Sequence, residues 1–258
     1  MTQVQAPRCS AVVTVTETGS TQDDLRALAA DAADWPHLSG LRAVRQRAGH
    51  GRGERTWDTS ELTALTASLV LRPALPAERW SWIPLIVGCA VTDALADLGC
   101  TAGLKWPNDV VLPAEAEVEG WGRWRKAGGI LAEVLPGQAG VLVGIGLNLD
   151  GVPPVPWATT LREHGLGVEP DALLEAIRDH LRERLVSDPA RWRDAVERRC
   201  VSIGAQVVAH LPGEVQVTGV AREIGAGGGL VIEAPDGSRQ LVMAGDVQHL
   251  RATPSDEG

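Results

Sequence analysis

Between residues 104 and 145 the chain passes through four short, nearly continuous apolar runs, at 104–106, 110–112, 129–134 and 141–145. Runs of this size suit strands buried on a face of a sheet, and they restrict the fold more than any other feature of the sequence. Further strands are predicted at 11–16, where AVVTVT is rich in β-branched residues, at 41–46, and at 65–71, which Pro73 ends. Ser20 and Thr21 offer N-cap hydroxyls to a helix carrying Leu25, Leu28 and Ala29 on one side. Residues 77–98 have the apolar density and length of a helix buried on most sides, with Pro84 near its first turns. Between two of the later strands, residues 113–124 read as an acidic insertion with Gly and Trp.

The pattern changes after the proline-rich connection at 150–156. Leu173, Ile177, Leu181 and Leu185 recur at a spacing of four, which places them on one helix face, and a second short helix is predicted over 190–199. From 204 onward, short β-rich runs at 206–210, 214–223, 229–233 and 239–243 alternate with Gly, Pro and Asp-Gly turns. That is the signature of a small barrel. The expectation is an α+β main domain over residues 1–200, followed by a small β domain over 201–258.

Several classes are disfavoured by composition. A formal net charge of −9 over 258 residues argues against a chain that coats nucleic acid, because such binding rests on phosphate neutralisation by Lys and Arg. Cys9, Cys89, Cys100 and Cys200 are scattered, with no metal-ligand spacing, and are expected as reduced thiols of a cytoplasmic protein. The first ten residues lack the layout of an export signal. The most apolar stretch, 83–91, is far short of the ~20 residues that span a bilayer, so no membrane role is expected. Phe and Tyr are absent while Trp occurs nine times, so aromatic burial falls to Trp.

Four segments carry chemistry. In 47–57 (RAGHGRGERTW), Gly49, Gly51 and Gly53 allow close backbone approach to a ligand, and His50, Arg52 and Arg55 supply donors between them. Guanidinium groups suit phosphates, which they bind bidentately. In 105–109 (KWPND), Lys105 offers a point charge, and Asp109 a carboxylate for Mg²⁺ or for orienting the lysine. In 126–133 (KAGGILAE), an amine stands before two glycines and an apolar strand, a place where a flat substrate can lie close to backbone. In 144–148 (GIGLN), another apolar strand ends in an amide. Each alone reads equally well as a turn or a solvated loop, and none is a phosphate-binding GxxxxGK[ST] loop.

Taken in order, these segments resemble the biotin–protein ligases, from Ser20 to the C-terminus. The likeness rests on Gly-Ser-Thr at 19–21, AGxGRGxxxW at 48–57 with His50 in its third position, KWPND at 105–109, KxGGILxE at 126–133, GIGxN at 144–148, and Gly245-Asp246-Val247 with Leu250-Arg251 near the end. The resemblance implies a mixed β-sheet with helices packed on one face, of the class II synthetase-like kind, and a small C-terminal SH3-like β-barrel. It implies activation of biotin with ATP and Mg²⁺ to biotinyl-5′-AMP, then transfer to a lysine of a biotin carboxyl carrier protein. It also implies the monofunctional type, without an N-terminal DNA-binding domain.

By the same resemblance, Ser20, Thr21, Gln46, His50, Gly51, Arg52, Lys126, Gly128, Gly129 and Leu131 hold biotin. Arg52, Arg55, Trp57, Lys105, Asn108 and Asn148 hold the nucleotide. Arg52 and Lys126 are the expected catalytic residues, and Asp109 the metal ligand. The chain departs from the pattern at His50, where the family usually has Arg, at Thr56, and at 148–150, where a second Asn is common.

Overall fold

The computed structural model describes residues 10–249 apart from 54, 60, 212, 214 and 244. Cys9 and the Leu250-Arg251 pair lie outside the described residues. The main part contains β1 (Val12–Thr18), α1 (Thr21–Leu28), β2 (Gly40–Gln46), β3 (Gly49–His50), β4 (Thr56–Trp57) and β5 (Leu62–Leu71). It continues with α2 (Ile83–Asp97), β6 (Gly103–Lys105), β7 (Asp109–Val118), β8 (Gly122–Val134) and β9 (Val141–Gly151). Helices α3 (Pro170–Val186) and α4 (Trp192–Glu197) close it. The last part holds β10 (Gln206–His210), β11 (Gln216–Ile224), β12 (Leu230–Glu233), β13 (Arg239–Val242) and β14 (Asp246–His249).

Seven strands form one sheet in the order β1-β2-β5-β9-β8-β7-β6. The β1–β2 pair is parallel and the others antiparallel, so the sheet is mixed. Period-2 alternation divides β5 between the two faces. Leu65, Ala67, Leu69 and Leu71 join the core built with α2 and α3, while Val70 joins Leu25, Ala29, Trp35 and Leu142 under α1. The helices therefore do not all pack on one face, as the resemblance implied. Helix α1 lies on the opposite face, because Leu25 needs its own apolar partners on that side.

Three local expectations also change. Residues 49–57 are not plain loop, since β3 and β4 pair as Gly49 with Trp57 and His50 with Thr56. The segment 113–124 is not an insertion between strands. It continues β7 into β8 as a long ribbon, irregular between Pro113 and Val118. The helix predicted from residue 77 begins as a 3-10 turn over Ala77–Trp82, and α2 starts beside Pro84, which needs no backbone donor there.

The final five strands form an antiparallel sheet in the order β13-β12-β11-β10-β14. Among the described residues β13 and β14 remain its edges, so this sheet is open where a barrel was predicted. It shares one apolar cluster with α2 and α4, through Val207, Ile224 and Leu230. Trp106 Nε1 donates to Gly228 O at 2.9 Å, and His249 N donates to Gly120 O at 3.1 Å, which locks the two sheets together. Cys89, Cys100 and Cys200 are free thiols, and no described helix is long and apolar enough to cross a membrane.

Candidate functional site

The α1 face of the large sheet carries a cavity of about 300 Å³, roofed by the β3–β4 hairpin. One end is polar and uncharged. Ser20 caps α1 by accepting a hydrogen bond from Asp23 N at 3.4 Å, which fixes the Ser-Thr pair at the cavity edge. Thr21 N and Oγ1 both donate to Gln46 Oε1, at 2.9 and 3.2 Å, and Thr21 Oγ1 lies 2.9 Å from Ser68 Oγ. Ser68 in turn donates to Gln22 Oε1 at 3.0 Å. Gln22 Nε2 is buried without a partner among the described residues, a cost that a ligand acceptor would remove.

The other end is cationic. Lys126 on β8 places Nζ 2.6 Å from Asp109 Oδ1 and 5.8 Å from the centre of the Trp57 ring. Arg52 Nη1 donates to Asn108 Oδ1 and to Gly245 O, each at 3.3 Å. Burial lowers the Arg52 pKa, opposed by the nearby Asp246 carboxylate. Arg55 Nη2 donates to Asp246 Oδ1 at 2.8 Å. The Trp57 ring lies directly over Gly146, where an added Cβ would come within 2.7 Å of Cε2. Asn148 lines the wall while its amide donates to Thr159 O at 3.0 Å.

The fold thus gathers Ser20, Thr21, Gln46, His50, Gly51, Arg52, Arg55, Trp57, Asn108, Asp109, Lys126, Gly129, Leu131 and Asn148 around one cavity. Two expected residues fall elsewhere. Gly128 does not line the cavity. It sits where β8 meets β9, and a side chain there would run into Leu147 and the Gly146 carbonyl. Lys105 is buried in the seam between the sheets, donating to Val247 O with its ammonium 4.3 Å from the Trp121 ring centre. Gln22, Pro154, Val155 and Trp157 line the cavity without having been expected. Gln22 directly follows the Ser-Thr pair, a signal within reach of sequence. Trp157 stacks on Trp121 at 5.2 Å, but it lies behind a stretch that reads only as a connection.

Burial pushes the Lys105 amine down to about 8. The unfolded chain, with an ordinary lysine near 10.4, then holds more protons than the folded one between those values. Lys105 therefore contributes stability that rises with pH from about 8 to about 10.5, opposed over part of that range by the Cys89 thiol, which burial pushes up to about 11, and the Lys105→Met protein is expected to lose this contribution. Denaturant titrations across that range are the check, and parallel curves for the two proteins would count against it.

The residues present do not fit a resident magnesium. Asp109 is already engaged by Lys126, and no group of three His, Cys, Asp or Glu gathers to hold a metal among the described residues.

A family model described as the biotin/lipoate A/B protein ligase family matches residues 15–150. The chain is 37% identical over 251 residues to a biotin–[acetyl-CoA-carboxylase] ligase of Mycobacterium tuberculosis, covering 92% of this chain and 88% of that protein. It is 30% identical over 242 residues to a protein of the same description from Paracoccus denitrificans, covering 82% and 92%. Among solved structures, the biotin protein ligase of Aquifex aeolicus in complex with biotin and ATP superposes with a TM-score of 0.75 at 26% identity, covering 94% of this chain and 99% of that one.

Proposed function

The chain belongs to the biotin/lipoate A/B protein ligase family, and on that premise we infer that it is a biotin–protein ligase, which activates biotin with ATP and transfers it to a carrier lysine. The observation that carries this reading is a single cavity, neutral and hydrogen-bonding at one end and cationic at the other. A polar head group with a carboxylate tail matches that polarity, and the tail would meet the nucleotide among the cations.

In the first step a carboxylate oxygen of biotin attacks the α-phosphorus of ATP. The new O–P bond forms as the bond to pyrophosphate breaks, giving biotinyl-5′-AMP. Two anions must approach, and Lys126 and Arg52 neutralise them and the charge that develops between them. Ser20, Thr21, Gln46, His50, Gly51, Gly129 and Leu131 hold biotin, while Arg55, Trp57, Asn108 and Asn148 hold the nucleotide. In the second step the lysine amine attacks the acyl carbon, AMP leaves, and the amine loses its proton. The protein contributes mainly orientation there. Magnesium is proposed only as a companion that ATP brings with its phosphates, without a resident site on the protein.

Residues 1–200 are proposed as the catalytic domain. Residues 201–258 are proposed as a small domain of SH3-like barrel type, of which the open five-stranded sheet is the described part. The partner is proposed to be a biotin carboxyl carrier protein, and the compartment the cytoplasm. The deciding experiment incubates the protein with a biotin carrier domain, ATP and either biotin or lipoate. Pyrophosphate release and a labelled lysine are expected with biotin. Labelling with lipoate alone would sink the reading.

A further inference from the structure

We propose that Asp23 is a positioning residue that holds His50, and with it the β3 side of the hairpin roof, over the bound adenylate. This rests on the ligase reading above. His50 Nε2 donates to Asp23 Oδ2 at 2.7 Å. The other oxygen of the same carboxylate accepts from Arg26 Nη1 at 2.6 Å, and Arg26 Nε and Nη2 donate to Glu133 Oε2 at 2.9 and 2.7 Å. These four side chains link three walls of the cavity: the hairpin through His50, α1 through Asp23 and Arg26, and β8 through Glu133.

Asp23 is not a free surface charge that finds the imidazole by chance. Arg26, itself tied to β8 through Glu133, holds the second oxygen of the carboxylate that His50 meets. The helix that begins with the Ser20-Thr21 pair thus also sets the height of the roof above that pair. Opposite His50, the far strand of the hairpin is held separately, through Arg55 and Asp246.

All four side chains are between about one-third and one-half exposed, so the link is expected to be modest in strength. Asp23→Ala should release preformed biotinyl-adenylate about three- to five-fold faster, in keeping with an exposed charged pair. His50→Ala, which removes the link together with the imidazole's own place at the cavity, should release it at least as fast. The double variant should release it no faster than His50→Ala alone, because Asp23 acts only through His50. Asp23→Asn, which keeps an acceptor for the imidazole, should restore part of the retention.

The experiment forms the adenylate from labelled biotin and ATP on each protein, chases with unlabelled biotin, and follows the unfolding midpoint in parallel. Coupled effects on release, without a matching shift of the midpoint, support the assignment. Release unchanged in Asp23→Ala, or single effects that multiply in the double variant, overturn it. Absence of pyrophosphate release by the unmodified protein would instead overturn the ligase reading, and this inference with it.

Discussion

Lys126→Ala is expected to lower biotin transfer to a carrier by at least about two to three orders of magnitude, the range seen when one preorganised charge-stabilising donor is removed. The loss has two sources. The amine that neutralises the reacting carboxylate and phosphate disappears. Asp109, whose Oδ1 lies 2.6 Å from Lys126 Nζ and whose side chain is 15% exposed, then loses its ion-pair partner and presents a negative charge to two incoming anions, offset only by the more distant Arg52 and Lys105. Asp109→Asn, which removes that charge but leaves the amine, should cost much less. Pyrophosphate release and carrier labelling check both variants, with circular dichroism to confirm folding. Labelling by Lys126→Ala within a few-fold of the unmodified protein would remove Lys126 from the catalytic role.

Gly128→Ala is expected to destabilise the fold by about 1–3 kcal/mol, and its neighbour Gly129→Ala by far less. A Cβ at Gly128 would lie inside contact distance of Leu147 Cδ2, which can turn aside, and of the Gly146 carbonyl, which cannot move without opening the β8–β9 ladder. At Gly129 the nearest atoms are Lys126 Cε and Nζ at 3.5 Å and Asp109 Oδ1 at 3.7 Å, which is ordinary contact. For a chain of this size the difference corresponds to a melting temperature lower by roughly 2–4 °C per kcal/mol. Gly129→Ala should instead show its effect in the activity assay, since its side chain enters the cationic end of the cavity. Equal melting temperatures for the two variants would contradict this division.

Most of the strands were legible because their signals are local. Four short apolar runs, the β-branched stretch before Ser20, and the Leu173-to-Leu185 spacing all state their periodicity within a few residues. The hairpin at 49–57 was not legible as paired backbone, since Gly, His and Arg at alternate positions carry no β signal and the pairing comes from Trp57 packing over Gly146. Strand β14 was missed for a related reason. Four residues, three of them polar, give no pattern until His249 and Val247 find Gly120 and Lys105.

The order of the motifs could be read from the chain itself, and the roles expected of Arg52 and Lys126 came only through the resemblance that this order carries. Which lysine faces the cavity could not be read. Lys105 and Lys126 each stand in a strand, and only the closure of the small sheet over β6 draws the first into a buried seam while the second stays at the pocket. The same holds for Gly128 and Gly129. Side chains on a strand alternate between faces with a period of two, so adjacent residues with identical side chains acquire opposite roles once the neighbouring strand is in register.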